Sequence, residues 1–464
     1  MSDRIDLSGF ADPWLVGYDA HGIQELITAS NRPLAMLGAS GTITRFDGYA
    51  AATATVSVFA GGGRGVELLD GPDAAAARCR LLEAHYAEQT FGGPLSTAAV
   101  PLDRRDEAGS LLWLRQRLKL LADAARPPGR GYLAAYTRKS DQCADCGGYQ
   151  AVYESQQRDA RGERICPRCH AMTQRGRLAS DSAGEEIQSL LDLVPDGQYV
   201  AALSLDGNNL GAFFEELRTL DDTRRASGAL KQVFSDAHAA ASRAIEGRHV
   251  SLATGGDDIR LFLPQFLVLR YLDVLIPELE RRAAALAARP PFRDRFDRFG
   301  VGVGVVLADA HLPAKRLMEH AHDLEQSAKR HCRLKGPRSA IDFAVLTAGD
   351  ASRIEPSLRR GGREPLGFGE PWVRAIREAA ALARVPSSQR SLLFDEPADD
   401  CHEFGNQWRY QVARHAEWQA WYDAIGRDWR DAKAVVRDRP RAHHLDLLHF
   451  LAPDPRAAAS TTAR

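Results

Sequence analysis

Residues 251–264 read SLATGGDDIRLFLP. Gly255 and Gly256 are followed by two adjacent aspartates, Asp257 and Asp258, with an apolar run of strand length on either side. Turn chemistry accounts for the glycines and for one aspartate in a tight hairpin. It does not account for the pair, because neighbouring carboxylates repel each other and neither belongs in a core. A turn that holds metal ions is the sharper reading. The decision rests on where other acids fall in the fold.

The flanking pattern supplies the fold. YVAALSL (199–205) is an apolar run of strand length, and helical segments follow it through LGAFFEELRTL and RRASGALKQVFSDAHAAASRAIEG. HVSLA (249–253) and IRLFL (259–263) are strands around the Gly-Gly-Asp-Asp turn. A helix is expected over about 265–288, a strand over 299–308, a helix over 313–330 and a strand over 339–346. The order β-α-β-β-α-β is ferredoxin-like. In that topology the first and third strands are central neighbours, so Asp206, at the end of the first strand, should meet Asp257 and Asp258. Three carboxylates then converge from two distant turns. Hard oxygen ligands of this kind select Mg²⁺ or Mn²⁺.

The N-terminal part repeats the order. WLVGYD (14–19) reads as a strand ending in Asp19, HGIQELITASNRPLAML as a helix, and TATVSVFA (53–60) and GVELL (65–69) flank Gly61-Gly62-Gly63. A helix (73–89) and a strand (95–102) complete the copy. Gly63 takes the place of Asp257, so this copy is expected to lack metal chemistry and to serve as a partner surface. Between the copies stand Cys143-Ala-Asp-Cys146 and Cys166-Pro-Arg-Cys169, separated by 19 residues. Two CxxC knuckles with turn residues around them build a closed, structural Zn²⁺ site. Cys79, Cys332 and Cys401 read as ordinary thiols.

Composition excludes little but directs the rest. Formal net charge is −1, so no global basic field drives nucleic-acid binding, and any such contact is local. No apolar run reaches bilayer-spanning length and the N-terminus has no signal-peptide core, which gives a cytoplasmic expectation with no membrane partner. Arginine greatly outnumbers lysine, so each lysine is informative.

The order of parts resembles the large palm-polymerase subunit of type III CRISPR effector complexes. The resemblance rests on Asp206-Gly207-Asn208-Asn209-Leu210-Gly211, on Gly255-Gly256-Asp257-Asp258, on AHDLEQSAKRHCRLKGPRSAIDF (321–343) and on IQELITASNRPLAMLGAS (23–40). It implies an α+β chain of two ferredoxin-like palm domains joined by a zinc-ribbon insertion, with a helical bundle at the C-terminus. The expected boundaries are 1–125, 126–195 with flanking helices, 196–350 and 351–464. The resemblance further implies a nucleotidyltransferase that makes cyclic oligoadenylates from ATP. Asp206, Asp257 and Asp258 would carry Mg²⁺ or Mn²⁺ and the chemistry, and Lys329 would neutralise the triphosphate. Gly207, Asn208, Asn209, Gly255, Gly256 and Ser40 would line the nucleotide sites. Asn208 stands where many relatives have a second aspartate, which removes one charge. For Asn209 a helix cap is an equal reading, and for Ser40 a turn serine is the better one. Implied partners are guide and target RNA within a multi-subunit complex, with the small helical subunit at the C-terminal domain. The chain begins almost at the first palm, and His322-Asp323 lies inside the helix leading to Lys329, so neither an HD nuclease domain nor DNase activity is expected. Two other readings stay open: a non-enzymatic scaffold of an RNA-guided complex, and a stand-alone signalling cyclase.

Overall fold

The computed structural model describes residues 4–124, 141–155, 161–183, 189–194, 199–346 apart from 294, 295, 297 and 298, 364–385, and 410, 413–424, 447, 448, 450 and 451. The first unit is β1 (Pro13–Ala20), α1 (Ile23–Ile27), α2 (Pro33–Thr53), β2 (Val56–Gly61), β3 (Arg64–Asp70), α3 (Pro72–Thr90), β4 (Leu95–Pro101) and α4 (Glu107–Ala124). Its antiparallel sheet has the order β2-β3-β1-β4, the ferredoxin-like arrangement expected from the strand pattern. The helix expected over HGIQELITASNRPLAML divides in two. Gly22 enters α1 at φ 65°, and Ser30–Arg32 leave helical geometry before Pro33 starts α2. Proline suits the first helical position, where no N–H is required. Helix α2 then runs on to Thr53, well beyond the expected end.

The zinc-ribbon segment carries β5 (Tyr153–Glu154), β6 (Arg164–Ile165) and a flanking helix, α5 (Pro167–Ala183). Of the flanking helices expected up to residue 195, residues 184–188 and 195 lie outside the described residues, and Leu190–Asp192 form a single 3₁₀ turn. The second unit is β7 (Tyr199–Gly207), α6 (Leu210–Glu215), α7 (Leu220–Ala244), β8 (Val250–Gly255), β9 (Asp258–Pro264), α8 (Val268–Ala287), β10 (Val301–Asp309), α9 (Ala314–Lys335), β11 (Ala340–Leu346) and β12 (Leu366–Gly367). Its sheet order, β12-β11-β10-β7-β9-β8, contains the same four-strand kernel, widened by β11, which pairs parallel to β10, and by β12.

Alternation along the strands divides the second sheet's side chains between two cores. Leu203, Leu205, Ile259, Leu261 and Val303 face α7 and α8. Val200, Ala202, Phe262 and Val306 face α9 and share one continuous core with Val16, Tyr18, Met36 and Phe46 of the first unit. The two units are therefore packed through a common apolar layer. The described C-terminal helices are α10 (Glu370–Ala383) and α11 (Ala416–Ala424). Trp372 of α10 is fully buried and meets Phe343 edge-on, with ring centroids 6.2 Å apart, so α10 is anchored in the palm core. Trp418 and Trp421 of α11 pack against each other. The rest of the expected bundle and Cys401 lie outside the described residues. Among the described residues no helix is long and apolar enough to cross a membrane.

The most extensive contact between two elements joins α2 to α5. It is a backbone-to-backbone contact made possible by two glycines. A Cβ on Gly38 would lie 1.8 Å from the Met172 carbonyl oxygen, and one on Gly176 would lie 1.9 Å from that of Leu34. Overpacking of this kind costs about 1–3 kcal/mol or more. Gly38→Ala and Gly176→Ala are therefore expected to lower the thermal midpoint in differential scanning fluorimetry. Gly48→Ala, in the same helix α2 with nothing within 4 Å of its Cβ, should leave the midpoint unchanged or raise it.

Candidate active site

The β8–β9 hairpin closes on the pair Gly255–Asp258, with Gly256 and Asp257 as its two loop residues. Gly256 has φ 73°, the left-handed geometry that tight hairpin turns require and that glycine adopts at no steric cost. The turn therefore aims Asp257 and starts β9 at Asp258. β9 pairs with β7 so that Asp258 stands directly opposite Asp206. Carboxylate oxygens of Asp206, Asp257 and Asp258 all lie within 4.8 Å of one another. The three acids read from the sequence thus form one cluster at the rim of the sheet.

Burial and the neighbouring acids push the Asp206 carboxyl up to about 7, opposed by Lys329. Burial likewise pushes Asp258 up to about 6, opposed by the Arg260 guanidinium. Lys329, on α9, forms an ion pair with Asp206 and stands 3.9 Å from Glu325. Its reach depends on Gly302, which lies opposite Asp206 in the β7–β10 register. A Cβ on Gly302 would lie 2.4 Å from Lys329 Cγ. The glycines of VGVGV are thus what let α9 lie close enough for the lysine to meet the acids.

The remaining expected residues divide. Gly207 ends β7 and leaves no room for a side chain beside Leu210. Asn208 donates its Nδ2 to the Arg338 carbonyl (2.9 Å) and its backbone N–H to Gly300 (2.9 Å), so its amide is engaged with the chain. Asn209 occupies the N-cap position of α6 with φ 59°, and its side chain makes no capping hydrogen bond. Ser40 is no turn serine: it is buried in the middle of α2. Two charged residues of the site escaped the sequence reading. Arg260 is only 3% exposed and lies 3.7 Å from Asp258. Glu325 is fully buried and accepts a hydrogen bond from Ser204. Each sits at an otherwise apolar position of its element, a signal visible in IRLFL and in the inward stripe of α9.

The first unit, with the same strand order, shows what replaces the acids. Arg64 stands opposite Asp19 as Asp258 stands opposite Asp206. Its Nε lies 2.9 Å from Asp19 Oδ1, so a guanidinium neutralises the one acid that remains. Gly63, at the place of Asp257, has φ 79°, and a Cβ there would lie 2.4 Å from Ile23 Cδ1. Its N–H is held by the buried Asp47 (3.0 Å), which also accepts from the Tyr18 hydroxyl (3.1 Å).

Sulfur atoms of Cys143, Cys146, Cys166 and Cys169 form the second group with metal-site geometry among the described residues. None is in a disulfide. Cys146 and Cys166 sulfurs are 3.8 Å apart, the separation that tetrahedral Zn–S bonds of about 2.3 Å produce. Backbone N–H groups of Cys166 and Cys169 point at Cys143 and Cys166 sulfurs. The donor set fits a structural zinc ion. Asp145, inside the first knuckle, is buried and accepts from the Ser30 hydroxyl (2.7 Å) and the Asn31 N–H (3.0 Å), with Arg32 3.7 Å away. This tie accounts for the break between α1 and α2 and joins the ribbon to the first palm.

Comparison with known proteins agrees with this geometry. Residues 199–336 match the family model for Cas10/Cmr2, second palm domain. The second palm is Cas10-like. In fold the chain is similar to a chain of a Csm1–Csm4 cassette solved in complex with cA4, at 13% identity and TM-score 0.55 over 95% of this chain and 70% of that one. The same cassette in complex with AMPPNP aligns at 13% identity and TM-score 0.56 over 97% and 71%. Csm1 of T. onnurineus aligns at 14% identity and TM-score 0.57 over 95% and 70%. Among curated proteins no sequence matches the chain.

Two measurements check these sites. A divalent cation must displace the protons that burial, helped by the neighbouring acids, favours on Asp206, at about 7, and on Asp258, at about 6. Mn²⁺ affinity should therefore level off above about pH 7 and fall roughly tenfold per pH unit below it for each proton displaced. Affinity that stays constant from about pH 5.5 to 8 would contradict the cluster as the binding site. Elemental analysis should give about one zinc per chain, lost in Cys166→Ser; a folded wild-type chain without zinc would refute the ribbon assignment.

Proposed function

We propose that the Cas10-like palm is a nucleotidyltransferase that makes cyclic oligoadenylates from ATP within a type III CRISPR-like effector. The convergence of Asp206, Asp257 and Asp258 carries this reading. It is supported by the solved relatives, whose complexes contain AMPPNP, pppApA and cA4. The reaction is attack of a ribose 3′-oxygen on the α-phosphorus of ATP. A new 3′-O–P bond forms, the bond to the β-phosphate bridging oxygen breaks, and pyrophosphate departs with that electron pair.

Bound Mg²⁺ or Mn²⁺ supplies charge neutralisation for the attacking and leaving oxygens. Asp206 and Asp257 would hold the ions, with the Gly207 carbonyl assisting. Asp258, which lies 3.7 Å from Arg260, would share an ion or accept the hydroxyl proton. Gly255 and Gly256 let the backbone approach the nucleotide without a Cβ. Lys329 would turn from Asp206 to the triphosphate, where a compact ammonium acts as a point charge. Asn208, Asn209 and, across the palm interface, Ser40 are proposed to border the nucleotide sites. The ribbon cysteines would hold Zn²⁺.

The solved cassettes place Csm1 with Csm4. By analogy we place this chain in a multi-subunit complex that holds guide and target RNA, with the small helical subunit at the C-terminal region. The experiment that tests the proposal is incubation of the purified protein with ATP and Mn²⁺, alone and in its RNA-bound complex, with chromatography of the products. Wild-type protein should yield 3′-linked cyclic oligoadenylates. Asp257→Ala with Asp258→Ala should abolish product formation, since the ions that neutralise the reacting oxygens lose their ligands, with an unchanged melting profile. Undiminished turnover by that double variant would contradict the proposal. A wild-type chain that binds RNA-guided partners without consuming ATP would identify a scaffold instead.

A further inference from the structure

Helix α9 buries Leu317, Met318, Ala321, Leu324, Ala328 and Cys332 against the sheet, and Glu325 interrupts this stripe with 0% exposure. An ionised carboxylate in such a place costs several kcal/mol unless it is paired and hydrogen-bonded. Glu325 is fully engaged. Ser204 donates its hydroxyl to Oε2 at 2.7 Å, and His322 Nδ1 is 3.1 Å from the same oxygen. Gln326 Nε2 donates to Oε1 at 3.0 Å, and Lys329 Nζ is 3.9 Å from that oxygen.

These contacts fall into two rungs, two residues apart on each strand. In the first, Asp206 of β7 lies opposite Gly302 of β10, and Lys329 of α9 crosses above them. In the second, Ser204 lies opposite Gly304, and Glu325 crosses above them. A Cβ on Gly304 would lie 1.9 Å from the Ala321 carbonyl oxygen and 2.4 Å from the Glu325 nitrogen. Gly304 therefore brings the helix backbone onto the sheet where Glu325 takes the Ser204 hydroxyl. One helical turn later the same approach delivers Lys329 to Asp206. His322 is drawn into this rung through the same carboxylate.

We infer that Glu325 is a positioning residue for nucleotidyl transfer: anchored by Ser204, it fixes the height and direction of Lys329 above the acid cluster so that the ammonium meets the nucleotide's phosphates. The inference rests on the nucleotidyltransferase reading above. A buried carboxylate that served stability alone would not be coupled to nucleotide binding through Lys329. A double-mutant cycle separates the two roles. Wild type, Glu325→Gln, Lys329→Met and the double variant are titrated with AMPPNP in the presence of Mn²⁺ by isothermal calorimetry, and each melting midpoint is recorded.

Glu325→Gln keeps the shape of the side chain but removes its charge. It and Lys329→Met should each weaken AMPPNP binding about tenfold, and the double variant should be no weaker than Lys329→Met. Ser204→Ala, which deletes only the anchor, should show a smaller loss and serves as the measurement if Glu325→Gln fails to fold. Wild-type affinity in Glu325→Gln or, in its stead, in Ser204→Ala would overturn the inference. So would a double variant whose loss is the product of the two single losses. A wild-type chain that does not bind AMPPNP would remove the nucleotide reading itself, an outcome distinct from binding that is indifferent to Glu325.

Discussion

Three carboxylates whose oxygens lie within 4.8 Å of one another repel, and the sheet rim that holds Asp206, Asp257 and Asp258 is also partly withdrawn from water. Protonation, a protein cation or a metal ion must relieve that repulsion. The fold supplies the protein cation by an unusually close approach of helix to sheet. Gly302 and Gly304 remove the side chains that would hold α9 away, so Lys329 reaches Asp206 while Arg260 lies below Asp258. Much of the second palm can be read as the scaffold of this balance. A tight hairpin aims the acids, a central strand presents Asp206, and a glycine-lined neighbour admits the lysine.

The first palm shows how small a change dissolves such a site. Its four-strand kernel has the same order, and Asp19 is the penultimate residue of its first strand, as Asp206 is of its own. At the hairpin, however, Gly62 and Gly63 are both at positive φ, and Ile23 fills the space that a side chain on Gly63 would need. The next residue is arginine. One turn geometry and one charge reversal convert an acid cluster into a neutral ion pair. What remains is joined to the second palm by one apolar core and to the cysteine-bearing segment through Asp145.

Most of this was legible in the sequence because it depends on local pattern. Strand-length apolar runs, the Gly-Gly-Asp-Asp turn and the paired CxxC knuckles carry their own geometry, and the ferredoxin-like order then placed Asp206 opposite Asp258. Residues whose meaning lies in contacts between distant segments were not legible. Glu325 and Arg260 acquire partners only once α9 and β9 are laid on the same face. Asp145 reads as a knuckle residue until Ser30 and Asn31 arrive from more than a hundred positions away. The length of α2 was missed because its sequence, rich in Gly, Ala and Thr, has weak helical periodicity; its stability comes from packing on α5. Ser40 was misjudged for the same reason, since Gly-Ala-Ser looks like a turn when the helix around it is not recognised.

The central claim is that the acid cluster is built to hold divalent cations at the nucleotide. Anomalous diffraction from crystals grown with Mn²⁺ and AMPPNP tests it most directly. Manganese peaks should lie among Asp206, Asp257 and Asp258, with the Lys329 ammonium moved from Asp206 to a phosphate oxygen. Nucleotide bound elsewhere, or an acid cluster that stays free of manganese with Lys329 still on Asp206, would contradict the account.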